Sequence, residues 1–216
     1  MLENLDTLTA DPILGLSAAF SADPNPQKVD LGVGIYKDEN GNTPVMSAIK
    51  TAEHKYLEIE HTKAYTAPEG INAYNKAIQT LLFGDKHSAV INNRVSTLQT
   101  PGGCGALRLA AELIHRGNPN ACVWLSNPSW ANHHPLLESA GISIQAYPYY
   151  NVQNGTLRFE EMLSTLNQAK RGDLVLLHAC CHNPTGADLT QEQWQAVAKL
   201  ADKTGFIPFI DIAYQG

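Results

Sequence analysis

The feature that most constrains the fold is a regular alternation of short apolar segments with amphipathic segments between residues 94 and 211. The apolar segments are bounded by turn residues and are too short for buried helices, so they predict β-strands. Strands that are apolar almost throughout and are separated by helices indicate an α/β fold with a mostly parallel sheet sandwiched by helices. The predicted strands are residues 94–100, 121–126, 142–148, 173–179 and 206–211.

The spacing of apolar residues predicts that the segments between the strands are helices. The best-marked helix follows Thr190, which forms capping-box positions with Gln193, and it can end at Gly205. Two more amphipathic helices contain Leu107 and Phe159, and residues 45–59 and 70–82 are also expected to be helical.

The first 44 residues differ from the rest and predict a short helix near residues 11–20 and a reverse turn at Asn40 and Gly41. We interpret residues 1–44 as an N-terminal arm that belongs to a smaller domain, and residues 45–216 as the first part of a large domain. An α/β domain normally covers each strand with a helix, and Gly216 follows a predicted strand directly. The natural protein is therefore expected to continue beyond this residue.

Composition narrows the possible functions. The 216 residues carry a net charge of −6, which provides no electrostatic footprint for nucleic acid or for an anionic membrane. The N-terminus lacks the basic and apolar regions of a signal peptide, and the apolar runs are too short to span a bilayer. Four cysteines without disulfide-framework spacing are expected to be reduced. These features favour a cytoplasmic protein that acts on small molecules.

Unusual polar residues follow the predicted strands at their carboxyl ends, where open parallel sheets bind ligands. The segment 101–105, PGGCG, opens a helix and could hold a phosphate, or it could be a tight turn. Trp130 could cover a flat ligand or belong to the core, and His133 could be an ordinary helix histidine. Asp211 needs a cationic partner or several donors unless it caps a helix, and Tyr214 could reach the same space.

The segment 178–186, HACCHNPTG, contains residue types that bind zinc. Cys180 and Cys181 are neighbours in a segment that is expected to be extended, so their side chains should point to opposite faces. A second ligand pair at zinc spacing is missing from the sequence. We therefore expect metal-free, structural cysteines, hydrogen-bonding roles for His178 and His182, and a rigid turn that presents Asn183.

Together, a phosphate-binding turn, a flat ring, an amide, an acid and a phenol describe a site for a phosphorylated aromatic heterocycle with a basic ring nitrogen. The segments NPSW, HNPTG and DIAYQG, with GVGIYKDENGNTPV upstream, closely resemble the aspartate and aromatic amino acid aminotransferases. These are pyridoxal phosphate (PLP) enzymes of fold type I. The resemblance covers the whole chain but about the first half of a typical member.

The resemblance implies roles for residues around the cofactor ring. Asp211 would pair with the protonated pyridine nitrogen, and His133 would support Asp211. Asn183 and Tyr214 would bond the phenolic oxygen of the ring, and Trp130 would stack on it.

The resemblance also implies a phosphate site at the backbone of Gly102, Gly103 and Cys104, completed by Tyr65 from the partner subunit of a homodimer. Gly34 matches a glycine over the substrate carboxylate. Cys104 departs from the family pattern, since a hydroxyl residue usually stands there and a thiol is a weaker donor.

The family's Schiff-base lysine and its substrate-binding arginines are expected beyond Gly216. The full-length protein is thus predicted to transfer an amino group from aspartate or an aromatic amino acid to α-ketoglutarate, whereas this fragment alone would be inactive. One alternative is a non-catalytic PLP- or phosphate-binding module. Another is a nucleotide-binding domain, although no G-x-G-x-x-G segment follows the first predicted strand.

Overall fold

The computed structural model describes residues 12–30 and 34–214, without the side chains of residues 12–14 and 17. It divides into two compact units, Met1–Tyr65 and Thr66–Gly216. This division does not test the predicted domain boundary after residue 44, which stays a prediction.

The described part of the first unit contains two helices, α1 (Pro12–Ala22) and α2 (Ser47–Ile59). Both confirm helices that the sequence predicts. The expected reverse turn is also present, because the amide of Gly41 donates to the carbonyl oxygen of Asp38 over 2.9 Å and Gly41 has a φ of +77°. A positive φ of this size favours glycine, which explains the residue at this position.

The second unit alternates helices and strands. Its helices are α3 (Asn72–Phe83), α4 (Ser88–Ile91), α5 (Gly102–Gly117), α6 (His133–Glu138), α7 (Phe159–Leu166) and α8 (Gln191–Thr204). Its strands are β1 (Cys122–Asn127), β2 (Ser143–Pro148), β3 (Tyr150–Asn151), β4 (Thr156–Leu157), β5 (Leu174–His178) and β6 (Ile207–Asp211). Four of the five predicted strands are confirmed as β1, β2, β5 and β6.

A four-stranded parallel sheet with the order β2-β1-β5-β6 forms the centre of this unit, and β3 and β4 form a small antiparallel pair. The chain moves outward from β1 to β2 and then returns to β5 on the other side of β1. The strand order therefore reverses between β1 and β5, and such a reversal opens a crevice at the carboxyl ends of the two strands.

Side chains of the central strands alternate between two cores. Val123 and Leu125 of β1 pack with the apolar faces of α5 and α6, whereas Trp124 packs with α7 and α8. In β5, Leu176 joins the first core and Val175 joins the second. Helices thus cover both faces of the sheet, as the continuous apolar strands predict.

The predicted strand at residues 94–100 is wrong. This segment bonds to a helix and a loop instead of to a neighbouring strand: the side-chain amide of Gln79 in α3 donates to Thr97 over 2.8 Å. The amide of Gln99 donates to the carbonyl oxygen of Glu69 over 3.0 Å. The alternating pattern is real, since Val95, Thr97 and Gln99 are less exposed than the residues between them. Their contacts are with α3 and with the loop before it rather than with a strand.

Helix α8 forms as its capping signals predict. The amide of Thr190 donates to Oε1 of Gln193 over 2.9 Å, and the amide of Gln193 donates to Oγ1 of Thr190. Gly205 ends the helix with a φ of +82°. These contacts fix the loop that leads from β5 into α8.

In the part of the chain that the structure describes, no helix combines the length and the apolar character needed to cross a membrane.

Candidate active site

A cavity of about 210 Å³ lies in the second unit beyond the carboxyl ends of β5 and β6 and beside the first turn of α5. The loops that follow β1, β5 and β6 contribute to it, so the rim predicted from the sequence exists. The lining residues are Gly103, Leu107, Trp130, His178, Cys180, Asn183, Asp211, Ala213 and Tyr214.

Asp211 is the anionic group of the cavity. It is the last residue of β6 and pairs in register with His178 of β5, while its carbonyl oxygen accepts from the amide of Ala179 over 2.8 Å. Its side chain is only 22% exposed, and Nε2 of the fully buried His133 lies 3.0 Å from Oδ2. This hydrogen bond is the main reason that the pKa of Asp211 is lowered, so the carboxyl group is ionised at neutral pH.

Hydrogen bonds behind Asp211 fix the proton positions on two histidines. The amide of Asn183 donates to Nδ1 of His178 over 3.2 Å, which leaves the proton of a neutral His178 on Nε2. That nitrogen lies 3.4 Å from Oγ of Ser129, whose hydroxyl is 2.8 Å from Nδ1 of His133. An ionised carboxylate can only accept a hydrogen bond, so Nε2 of His133 carries a proton and donates it to Asp211.

Three aromatic rings pack against one another beside this chain. His182 stacks on His178 with ring centroids 4.2 Å apart and on Tyr149 with centroids 4.1 Å apart. Both nitrogens of His182 contact hydroxyls, Nε2 that of Ser126 at 2.9 Å and Nδ1 that of Thr185 at 2.8 Å. The predicted hydrogen-bonding roles of His178 and His182 are therefore confirmed.

Burial keeps both stacked histidines neutral. It is the main cause that lowers the pKa of His178 to about 4, and it lowers the pKa of His182 to about 4 as well, where the neighbouring His178 adds to the effect. A second charge in the stack would be poorly solvated and would repel the first. Neutral imidazoles at this position leave Asp211 as the charged group that faces the cavity.

The loop after β5 departs from the expected extended conformation. Cys181 has a φ of +50°, which is rare for a residue with a side chain, and the amides of Cys181 and His182 both donate to the carboxylate of Asp188 over 2.9 and 3.0 Å. The prediction that Cys180 and Cys181 point to opposite faces is wrong, because the alternation of side chains holds only while the backbone stays extended. The side chain of Cys181 raises the pKa of Cys180, so the two thiols are near each other.

Helix α5 supplies the other end of the cavity. Its first residues are Gly102, with a φ of +71°, and Gly103, which lines the cavity, followed by the exposed Cys104. The first amides of a helix lack partners within the helix and carry the positive end of its dipole, so they attract anions. An added Cβ at Gly102 or Gly103 would meet no atom within 4 Å, which shows that open space lies beside this backbone.

The structure brings together most of the residues that the sequence singles out. Gly103, Trp130, Asn183, Asp211 and Tyr214 line one cavity; Gly102 and Cys104 flank Gly103, and His133 contacts Asp211. Gly34 and Tyr65 belong to the first unit, where Tyr65 is fully exposed. Their roles stay predictions.

Sequence reasoning missed three residues of the site. Ser129 connects His133 to His178, Cys180 lines the cavity, and Asp188 holds the loop that presents Asn183. One signal for Ser129 was available, since it precedes His133 by four residues, a spacing that brings side chains together on a helical turn. No comparable signal marks Asp188, because its partners are backbone amides.

Among the described residues, no group of three or more histidine, cysteine, aspartate or glutamate side chains is arranged to hold a metal ion. The absence of a metal at the cysteine pair nevertheless stays a prediction.

A parallel α/β domain that places an ionised carboxylate and a helix N-terminus at one cavity can accommodate a ligand with an anionic group and a basic group. Residues 26–216 match the model of the family "Aminotransferase class I and II", and the chain belongs to this family.

Similar proteins agree with this assignment. An aspartate aminotransferase of Escherichia coli is 50% identical over the whole chain, and an aromatic-amino-acid aminotransferase of Paracoccus denitrificans is 46% identical. A solved aromatic-amino-acid aminotransferase of Burkholderia pseudomallei, described as covalently bound to pyridoxal phosphate, superposes on the whole chain with a TM-score of 0.95 at 43% identity. In each comparison the chain covers 54% of the other protein. The fold is that of the PLP enzymes of fold type I.

Proposed function

We propose that the full-length protein is a PLP-dependent aminotransferase that passes the amino group of aspartate or an aromatic amino acid to α-ketoglutarate. It acts in the cytoplasm as a homodimer on amino acid and 2-oxo acid substrates. The observation that carries this proposal is the ionised Asp211, which is held by the buried His133 and exposed to a cavity that also meets the start of α5. The chain spans about half the length of the relatives it matches, so these activities belong to the whole protein.

The residues of the cavity fit PLP chemically. The cofactor carries a phosphate and a basic ring nitrogen, and the cavity has an anion-attracting helix N-terminus and a carboxylate. Glycines at positions 102 and 103 leave open space for a close approach to the backbone. When bound, PLP supplies an electron sink for the α-carbon of the amino acid.

Asp211 would hold the proton on the ring nitrogen. A carboxylate of lowered pKa stays ionised over the working pH range, and a protonated ring nitrogen needs such a partner in a site that excludes water. His133 orients the carboxylate by donating to one of its two oxygens, which leaves the other oxygen for the ring. The hydroxyl of Ser129 in turn holds the ring of His133 in place.

Three further side chains would position and tune the ring. Trp130 lines the cavity with a flat apolar surface, and its ring meets that of His133 edge-on at 5.3 Å between centroids. The Asn183 amide and the Tyr214 hydroxyl can both donate to the phenolic oxygen of the cofactor. These two donors would stabilise negative charge on the phenolic oxygen.

The phosphate would bind to the backbone of Gly102, Gly103 and Cys104, and Tyr65 of the partner subunit would add a hydroxyl. Gly34 would lie over the substrate carboxylate. Among the residues that the structure describes, no lysine lines the cavity.

Steady-state assays of the full-length protein test the proposal. We expect turnover with α-ketoglutarate and either aspartate or phenylalanine, together with a visible absorption band that shifts when the amino acid is added. The ratio of kcat/KM for the two donors assigns the substrate class. Stoichiometric PLP binding without turnover of any amino acid would instead indicate a non-catalytic binding module.

A further inference from the structure

We propose that Cys180 and Cys181 form a vicinal dithiol site, in the wall of the cavity, that captures trivalent arsenicals. Cys180 lines the cavity, whereas Cys181 is exposed at the surface. The pair therefore joins the interior of the ligand site to solvent. The proposal concerns the chemistry of the pair and does not depend on which ligand the cavity normally takes.

The backbone supplies the geometry for joint capture. In an extended strand, neighbouring side chains point to opposite faces and could not share one atom. Here the φ of +50° at Cys181 breaks that alternation. The carboxylate of Asp188 accepts from the amides of both Cys181 and His182, which holds the loop in this conformation. The arrangement is thus part of the fold and need not be created by the reagent.

The two thiols are close enough for Cys181 to affect the pKa of Cys180. Desolvation, followed by the neighbouring side chain of Cys181, raises the pKa of Cys180. A thiol of raised pKa reacts slowly with reagents that need a thiolate, such as iodoacetamide. Condensation with arsenic(III) suits such a pair better. The two sulfurs replace an oxygen on arsenic, and the thiol protons leave with that oxygen as a water molecule.

Two sulfur ligands fit arsenic better than zinc. Structural zinc takes four ligands in a tetrahedron, and the described residues offer no third or fourth ligand beside the pair. Phenylarsine oxide needs only two thiols. Its As–O bonds break, two As–S bonds form, and the two thiol protons leave with the oxygen as one water molecule. Nothing is oxidised or reduced in this step.

Two sulfurs at adjacent positions also make capture durable. When one As–S bond opens, the second thiol keeps the arsenic nearby at high effective concentration, so the bond closes again before the reagent diffuses away. A single cysteine lacks this advantage and should lose the reagent to any added monothiol. Resistance to a monothiol therefore distinguishes the pair from an isolated cysteine.

The experiment treats the purified protein with phenylarsine oxide, adds excess 2-mercaptoethanol, and measures the native mass and the labelled peptide. We expect one phenylarsenic group per chain, located on the peptide with both cysteines and removed by 2,3-dimercaptopropanol. Cys180→Ala and Cys181→Ala should each lose the label about 10²-fold faster in 2-mercaptoethanol. The exposed Cys104 provides the matched control, since Cys104→Ala should retain the label like the unchanged protein.

Two results would overturn the proposal. One is rapid loss of the label from the unchanged protein in 2-mercaptoethanol. The other is a stable label that persists in Cys181→Ala. Cys181→Ala changes an exposed side chain, and its circular dichroism spectrum, compared with that of Cys104→Ala, checks that the variant is folded.

Discussion

Nε2 of His133 lies 3.0 Å from Oδ2 of Asp211, which connects the first residue of α6 to the last residue of β6 across 78 positions of the sequence. The histidine is fully buried and the carboxylate is partly exposed to the cavity. This contact is the main cause that lowers the pKa of Asp211, and the first prediction concerns it directly.

Replacing His133 by Ala should raise the pKa of Asp211, because the hydrogen bond from His133 is the main cause that lowers it. The depressed pKa stabilises the fold at pH values above the unfolded pKa of about 3.9, and this stabilisation is lost as the pH falls through the folded value. NMR titration of the Asp211 carboxyl carbon in the cofactor-free protein measures the shift. His134→Ala is the matched control, since His134 is exposed on the same helix and contacts Glu138 instead. An Asp211 pKa that is equal in both variants would contradict the prediction.

Replacing Asp211 by Ala should reduce turnover of the full-length enzyme by roughly 10²- to 10⁴-fold. Removing one partner of a shielded ion pair costs about 3 to 5 kcal/mol, and each 1.4 kcal/mol corresponds to about one power of ten in rate. The measurement is kcat with saturating substrates and PLP. Asp202→Ala is a suitable control because Asp202 is exposed on α8. A loss of tenfold or less would rule out the assigned role of Asp211.

The free energy of unfolding should decrease as the pH falls from about 6.5 to about 4, because His178 and His182 have lowered pKa values in the folded protein. Each has a folded pKa of about 4, below the ordinary value of about 6.5, so the unfolded chain binds more protons in this window. The slope is at most about 1.4 kcal/mol per pH unit for each histidine and levels off below pH 4. Urea unfolding at several pH values measures it. His182→Asn should flatten the slope, whereas His134→Asn should leave it unchanged.

Activity should be partly restored when an inactive Asp211→Ala variant is mixed with an inactive Tyr65→Ala variant. If Tyr65 completes the site of the partner subunit, one of the two sites in a heterodimer is free of both substitutions. Tyr65 is fully exposed in this chain and is therefore available to a neighbour. Subunit exchange has to be demonstrated by mass spectrometry of differently tagged chains. Proven exchange without recovered activity would count against a shared site.

The protein should contain no stoichiometric zinc at Cys180 and Cys181. Two thiols without further ligands leave half of a tetrahedral zinc site unfilled. Elemental analysis of the purified protein checks this, with the double variant Cys180→Ala, Cys181→Ala for comparison. Zinc at one ion per chain that disappears in the double variant would refute the prediction.

The sequence predicts those parts of the fold that depend on local signals. The capping box at Thr190, the turn at Gly41 and the apolar runs of β1 and β5 each depend on neighbouring residues, and all are present. The strand expected at residues 94–100 failed for a non-local reason. Its alternating pattern specifies one covered side, but not whether a strand or helix α3 provides the cover.

In the candidate site, too, some residues could be predicted from the sequence and others depend on contacts that the sequence does not reveal. Positions at strand ends identified Asp211 and Asn183, because the topology of a parallel sheet brings such ends together. Ser129 was missed although its spacing of four residues from His133 was an available signal. Asp188 was missed because a carboxylate that accepts from two backbone amides depends on contacts that no sequence period encodes. The conformation of Cys181 was mistaken for the same reason, because Asp188 stabilises it from seven residues away.

The pairing of β5 with β6 makes Asp211 part of the sheet rather than of a flexible loop. His178 and Asp211 are opposite each other in the ladder, and the amide of Ala179 closes the last hydrogen bond. A slip of one residue would turn the carboxylate toward the other face of the sheet. Substitutions, insertions and deletions can therefore accumulate in the loops and reshape the cavity for a new substrate, while the carboxylate remains anchored where it is.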